Sequence, residues 1–537
     1  MLLMQLLQQA QGVPVNLQPV KRPDADLPHM LPFGEEFMRG RRKCMRRPDR
    51  GPTAQCKVHV LDLSDLAQSL GLPRCSEGDF VVDPLEGMVV PHPRFLGKQA
   101  KQKPAKGQEW MYPYQYSAHS QSHWAGPWFA KQVLETGGNA AATLESADTV
   151  YVYDYCYIMK QAADSSSQRH WLLKDIYNGT RGQGDVLLKL YRGLLRLPRW
   201  KSSGGRDFVF YHSFPGLSLG SEQADANFAS AMCNNFQWAT LLAAEQGQRW
   251  FCPSYNPRTT ALVPYSFKDV SLGAQVASNS ARPYLLFFRG NCYTKKAGNI
   301  GLVLRRAVAQ GLRVMGDDDM DVCCSGADAP PKVACTDKNF KQNAQRTQPQ
   351  PELLKDMAQA QFCLVMPGNT QSSGHLADAF FTGCIPVFLG PPFHSLPFPH
   401  LIDYSAVGVF LNASLTPLPW WPKTPGLTFE PALKPQAAVA DRSHAKWWFA
   451  DLPKLELQTI TAMEEIAGKL RGYSQQEVAR KRAALLEYRH LFTFTDKPTF
   501  PVAASDVVVE LMCTYAKHSK RRRRRAIVPH PPIPPGY

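Results

Sequence analysis

Phe362-Cys-Leu-Val-Met-Pro-Gly-Asn-Thr-Gln-Ser-Ser-Gly-His-Leu-Ala-Asp-Ala-Phe-Phe-Thr-Gly-Cys-Ile-Pro-Val387 reads as strand, loop, helix and strand. The apolar run Phe362–Met366 has the length of a strand, and Pro367, Gly368 and Asn369 break it and turn the chain. Ser372 or Ser373 is placed to cap a helix that runs to about Thr382, and Gly383 ends it. Ile385–Leu389 then forms the next strand, and strand, helix and strand in this order make a parallel crossover unit. The mouth of such a helix offers backbone N–H groups, hydroxyls and the positive end of the macrodipole, which suit a diphosphate. Asp378 follows about one and a half turns on, where a carboxylate could accept hydrogen bonds from ribose hydroxyls. The plainer alternative is a serine that only caps and an aspartate that is only solvated.

The same alternation extends outward. Cys56–Leu63, Thr149–Asp154 and Asp207–Tyr211 are β-prone runs, and helical spacing of Leu and Tyr over Trp171–Leu195 is interrupted at Asn178–Gly184. An aromatic loop from Trp110 leads into a helix from about Trp124. Pro283–Phe288 opens a second group and ends at Arg289-Gly290. A helix over Asn299–Gln310 follows, with Gly311 as its stop. Residues 316–350 are polar and rich in Cys and Pro, the mark of an insertion loop, and 414–447 is a Pro/Trp-rich connector. Glu456–Leu470 and Gln475–Tyr488 carry the 3.6-residue period of helices. A chain of 537 residues exceeds what one core supports. The expected division is a basic lead-in 1–55, a first lobe 56–270, a second lobe 271–450, C-terminal helices 451–516 and a basic, Pro-rich tail 517–537.

Net charge is +16, but the basic residues cluster in Arg39–Arg50, Lys98–Lys106 and Lys517–Arg525, in tails and connectors. No reading helix or interleaved aromatic pattern accompanies them, so nucleic acid is not an expected partner. A solvated tail accounts for the arginine run; attraction to acidic polysaccharide, anionic lipid or a sorting receptor is the alternative. Thirteen cysteines without Cys-x-x-Cys pairing point to disulfides in a lumenal compartment, not to zinc, and the odd total leaves at least one outside intrachain pairs. Asp317-Asp-Asp-Met-Asp321 opens the insertion and is a poor candidate for a metal site, so no metal is expected. No apolar run is long enough to cross a bilayer, and Met1–Leu7 lacks the build of a signal peptide. Membrane association is therefore expected only through a missing N-terminal anchor or a partner. Asn178 and Asn412 open tripeptides that permit glycosylation.

The block Phe362–Val387 resembles the signature of exostosin-family glycosyltransferases: Phe-Cys-Leu-x-Pro-x-Gly, then Ser-x-Arg-Leu-x-(Asp/Glu)-Ala, then Gly-Cys-Ile-Pro-Val. Leu396-Pro397-Phe398 and Ile402-Asp403-Tyr404-Ser405 resemble its continuation. Gly205-Arg-Asp207, Lys268-Asp269-Val270 and Phe287-Phe-Arg-Gly290 are similar to upstream landmarks of the family. The resemblance implies an α/β protein of GT-B fold, with two Rossmann-like lobes and a site in the interlobe cleft. It also implies a nucleotide-sugar donor, usually a UDP-sugar, a glycan or glycoprotein acceptor, inversion at the anomeric carbon, no cofactor beyond the donor, and a place in the Golgi lumen or secretory pathway.

Carried over residue by residue, the resemblance assigns Gly368, Ser372, Ser373 and His375 to the donor phosphates, with Arg289, Gly290 and Arg305 beside them, and Asp378 to the ribose. Two positions depart from the pattern. His375 stands where the motif has Arg, which weakens charge neutralisation of the leaving group; Arg289 or Arg305 is the expected compensation. Phe208 stands where the family has His after Gly-Arg-Asp. His212 lies four residues on, about 13 Å along a strand, and cannot simply substitute. Inverting transfer needs a base for the acceptor hydroxyl, and the candidates are Asp207, His212 and Asp154, each near a first-lobe strand end. The competing readings are a catalytically silent subunit that binds glycan or a partner transferase, and a nucleic-acid binder driven by the arginine run.

Overall fold

The computed structural model describes residues 56–72, 80–82, 89–91, 118–137, 140–154, 183–212, 239–244, 260–265, 281–292, 305, 308–309, 311–312, 318–325, 335, 350–366, 373–390, 396–398, 401–413, 457–460, 464–494 and 502–523. The first group of elements is β1 (Val58–Asp62), α1 (Leu63–Ser69), β2 (Phe80–Val82), β3 (Val89–Pro91), α2 (Ala118–Thr136), β4 (Thr149–Tyr153), α3 (Gln183–Arg196), α4 (Pro198–Ser203), β5 (Phe208–His212), β6 (Thr240–Ala243) and β7 (Thr260–Leu262). β2 and β3 pair as an antiparallel ribbon, and the others form a five-stranded parallel sheet in the order β1-β4-β5-β6-β7. Val150, Val152, Phe208 and Phe210 pack on one face against Leu190, Tyr191 and Leu194 of α3 and Trp200 of α4. The alternate residues Tyr151, Tyr153, Val209 and Tyr211 join a core on the other face that includes Phe129 and Val133 of α2.

The second group is β8 (Tyr284–Asn291), β9 (Met320–Ser325), α5 (Gln350–Met357), β10 (Ala360–Val365), α6 (His375–Thr382), β11 (Ile385–Gly390), α7 (Tyr404–Val407), β12 (Val409–Ala413), β13 (Leu457–Ile460), α8 (Glu464–Arg471) and α9 (Gln475–Tyr488). Its six-stranded sheet has the order β13-β12-β11-β10-β8-β9, parallel throughout. After a 3-10 turn, Arg489–Phe492, comes α10 (Ala504–Arg523), which packs on α2, β4 and β6 of the first lobe. Its Val507, Val508, Leu511 and Met512 belong to the same core cluster as Phe380 and Phe388 of the second lobe. Cys56, just before β1, is disulfide-bonded to Cys513 on α10. The amide of Phe398 donates to the carbonyl of Leu262 at the end of β7. Two parallel, helix-covered sheets with a final helix returning to the first are the α/β, GT-B architecture that the strand pattern and the resemblance implied.

Several local expectations are corrected. The stretch 316–350 is not only an inserted loop, since it supplies β9, whose Cys323 and Cys324 are bonded to Cys335 and Cys292. Leu457–Ile460, expected within a helix, is edge strand β13. Gly311 does not end its helix, because Gly311 and Leu312 are helical too. The N-cap of α6 is Gly374, with no side-chain cap, while the Ser373 hydroxyl accepts from the His375 amide at 3.3 Å. Gly383 does terminate α6, at φ 69° in the left-handed region, and a Cβ there would lie 3.2 Å from Arg282 Nη2. Lys517–Arg523 continues α10 as helix and is not a separate tail.

Candidate functional site

In a doubly wound parallel sheet the strands end together at one edge, and ligands bind there. In the second lobe that edge is formed by the ends of β8 and β10 and by the start of α6. Arg305, on a helical segment beside the sheet, is 7% exposed. Its guanidinium donates to the carbonyls of Asn291 at 3.3 Å and Met366 at 3.0 Å, the last residue of β8 and the first after β10. It lies 5.7 Å from the Phe288 ring centroid. Gly290 permits this approach: a Cβ there would stand 2.8 Å from Phe288 Cζ and 3.6 Å from Arg305 Nη1. Burial lowers the Arg305 pKa to about 10, so the group stays charged at neutral pH while retaining a desolvation cost. Its Nε has no hydrogen-bond partner among the described residues.

The Phe288 ring also meets the imidazole of His375 edge-on, with centroids 6.2 Å apart. His375 opens α6, and its Nδ1 is 3.4 Å from Oδ2 of Asp378 one turn later. Asp378 is 7% exposed and so is not a solvated surface carboxylate. Arg305, Gly290, Ser373, His375 and Asp378 thus gather at one strand edge, joined through Phe288. Sequence reasoning missed Phe288; its signal was its place directly before Arg289-Gly290 in an apolar run. Gly368 and Ser372 lie outside the described residues.

Arg289 does not belong to this group. Alternation along β8 turns Phe287 and Arg289 to the face opposite Phe288 and Gly290, toward α5. There Arg289 is held at 2.6 Å by Asp321 on β9 and at 2.7 Å by Asp356 on α5. Two carboxylates neutralise it. The same contacts account for part of the acidic run, since Asp321 holds Arg289 and Asp319 pairs with Arg471 at 3.0 Å. No group of three or more potential metal ligands occurs among the described residues.

In the first lobe the three candidate bases separate. Asp207 precedes β5, at the amino edge of the sheet, where its carbonyl accepts from the Thr149 amide's neighbour Val150 at 2.8 Å and from the Thr149 hydroxyl at 2.7 Å. Its carboxylate is 3% exposed and bonded to Arg199 Nε at 2.8 Å, and Arg199 also donates to the carbonyls of Leu144 and Ala147. That pair locks a turn at the edge away from the ligand side, about 16 Å along the strand from His212, so Asp207 is corrected to a structural residue. Phe208, beside it, is fully buried with its ring 4.6 Å from that of Trp200. Asp154 and His212 both sit at the carboxyl edge, after β4 and at the end of β5.

Comparison with known proteins follows from this geometry. The Exostosin GT47 domain matches residues 52–420, more than half of the chain. No curated protein matches. Among solved structures, a GtfA/B complex is 13% identical with a TM-score of 0.21, over 56% of this chain and 60% of that one. Spinosyn rhamnosyltransferase SpnG complexed with thymidine diphosphate is 12% identical with a TM-score of 0.19, over 87% of this chain and 100% of that one. The match takes in the first sheet, the second sheet through β12 and the strand edge where Arg305, His375 and Asp378 meet, and the chain belongs to the exostosin GT47 family of glycosyltransferases.

Proposed function

We propose that the protein transfers a sugar, with inversion, from a nucleoside-diphosphate sugar, a UDP-sugar in the first instance, to a hydroxyl of a glycan or glycoprotein. The observation that carries this reading is Arg305, a buried cation with no carboxylate bonded to it among the described residues, at the carboxyl edge beside the start of α6. A buried cation is costly unless an anion or aligned dipoles offset it, and two carbonyls offset it only in part. A diphosphate against the α6 mouth would complete the balance: Arg305 and the α6 amides meet the oxygens, His375 donates a hydrogen bond, and Asp378 receives the ribose. The donor acts as co-substrate, and no resident cofactor or metal enters the reading, in keeping with the arginine partners of Asp319 and Asp321.

Four disulfides among the described residues suit an oxidising compartment, so the Golgi lumen or secretory pathway is the proposed location. No helix among the described residues is long and apolar enough to cross a membrane. Nucleic acid is not a proposed partner. One observation favours a second reading, a subunit that binds glycan or a partner transferase without turnover: His375 replaces the motif's arginine and Arg289 is neutralised, leaving one buried cation near the diphosphate. Calorimetry of the full chain with UDP and a panel of UDP-sugars, followed by a transfer assay, separates the outcomes. Binding with product formation supports the transferase, and binding without turnover or donor hydrolysis supports the silent subunit. Affinity for none of them refutes the donor site, as does an Asp378→Ala chain that binds the donor unchanged.

A further inference from the structure

Two consecutive cysteines on β9 turn to opposite faces of the second sheet, and each is bonded to its own partner, Cys323 to Cys335 and Cys324 to Cys292. The register sets Cys323 level with Arg289 and Cys324 level with Gly290. The Cys292–Cys324 bond therefore lies on the face that Phe288, Gly290 and Arg305 share. Phe288, Cys292 and Cys324 are all buried and belong to one apolar cluster with Val308, Ala309 and Leu312. Those three residues follow Arg305 at helical spacing, so one stripe of a helical segment packs against the cystine and presents the guanidinium. Cys292 Sγ lies 3.4 Å from the carbonyl oxygen of Gly290, the residue over which Arg305 reaches.

The aim of Arg305 depends on this strand end. One of its two carbonyl acceptors belongs to Asn291, the last residue of β8, and Cys292 is the next residue in the chain. Strand ends are where a ladder opens first, and on this side β8 is flanked by β9, an edge strand with one neighbour. Gly290↔Cys324 and Asn291↔Ser325 close the pairing of the two strands, and the cystine ties them covalently. Resting on the transferase reading above, we propose that the Cys292–Cys324 bond is a positioning element of the donor site. It fixes the Asn291 carbonyl and the Gly290 backbone, so that Arg305 meets the diphosphate already aimed. Cys292 and Cys324 act through Arg305 and are positioning residues. The bond from Cys323 to Cys335 departs from the Arg289 face and has no such reach; it contributes stability alone.

The test uses the full chain and removes each cystine in turn, as Cys292→Ala with Cys324→Ala and as Cys323→Ala with Cys335→Ala. Both removals should lower Tm, since either bond restricts the unfolded chain. Calorimetry with UDP should separate them. Loss of Cys292–Cys324 should weaken Kd on the order of tenfold, the upper end of the cost of ordering one long side chain at a binding site. Loss of Cys323–Cys335 should leave Kd within twofold of the wild type. In an Arg305→Met background, removing Cys292–Cys324 should weaken Kd no further, because the bond acts through the guanidinium. If the alanine pair does not fold, Cys292→Val with Cys324→Val refills the space of the sulfurs and replaces it. A second readout needs no ligand. With nitrogen-15 arginine, the buried Nε–H of Arg305, assigned by its loss in Arg305→Met, should exchange with water faster without Cys292–Cys324 and at the wild-type rate without Cys323–Cys335. An exchange rate that loss of Cys292–Cys324 leaves unmoved overturns the proposal. So does UDP affinity kept within twofold in that variant, or weakened equally in the Arg305→Met background or by loss of Cys323–Cys335. If UDP binds no form, wild type included, while the Nε–H responds as expected, the hold of the cystine on Arg305 stands and the transferase reading fails.

Discussion

Replacing Arg305 by Met removes the cation but keeps a long apolar side chain to lie on Phe288. The lowering of its pKa from the ordinary guanidinium range to about 10 corresponds to a burial cost of roughly 3 kcal/mol, which the substitution relieves. Against this, the carbonyls of Asn291 and Met366 lose their donor, at about 1–3 kcal/mol each where no water replaces it. The opposing contributions nearly cancel, so Arg305→Met should fold with a Tm within a few degrees of the wild type. Donor binding is a different matter, because a charge-assisted contact to a diphosphate contributes about 1.5–3 kcal/mol. Calorimetry with UDP should therefore show a Kd weaker by roughly 10- to 150-fold. Arg305→Lys should recover part of the loss, as a point charge without the fork. A folded Arg305→Met chain that binds UDP within twofold of the wild type refutes the argument.

Asp207→Asn should lower stability by about 3–5 kcal/mol, as expected for a broken buried pair, while leaving the pH dependence of transfer unmoved; denaturant midpoints and a pH–rate profile check it. Cys56→Ala with Cys513→Ala should cost on the order of 5 kcal/mol, since the bond closes a sequence separation of 457 residues, read from thermal unfolding without reductant. Burial lowers the pKa of His490, in the 3-10 turn that leads toward α10, with the Arg489 charge a lesser cause against a raising hydrogen bond to the Glu487 backbone. The unfolded chain then binds the proton first, so stability should fall as pH drops through about 6.5, and His490→Gln should flatten that slope in urea titrations.

The strands were legible where apolar residues run unbroken. Thr149–Tyr153, Ala360–Val365 and Ile385–Gly390 are buried on both faces, and their composition says so. β9 escaped notice because Met-Asp-Val-Cys-Cys-Ser places an acid and two disulfide cysteines in an edge strand, where burial alone does not set the pattern. β13 is four residues, Leu457–Ile460, and merges with the period of the helix that follows. At the site, Arg305 and Arg289 looked equivalent in the sequence. What distinguishes them is the pair of acids that hold Arg289, at 32 and 67 residues' remove, and the alternation of faces along β8. Asp154 and Asp207 likewise read alike, each beside a strand, until the parallel sheet put them on opposite edges. Tyr191 was visible only as one apolar position of a helix; nothing in its neighbours in sequence marks Asp154, to which its hydroxyl donates.

The bond from Cys56 to Cys513 has a consequence for synthesis. At ribosomal rates of about 5–20 residues per second, roughly 20 to 90 s separate the emergence of the two thiols. Throughout that interval the face of the nascent first sheet that α2 covers in part still lacks α10, the last helix to be translated among the described residues. Chaperones and oxidoreductases are therefore expected to attend this chain late, and a stop codon far downstream of the first sheet would still leave that sheet unfinished.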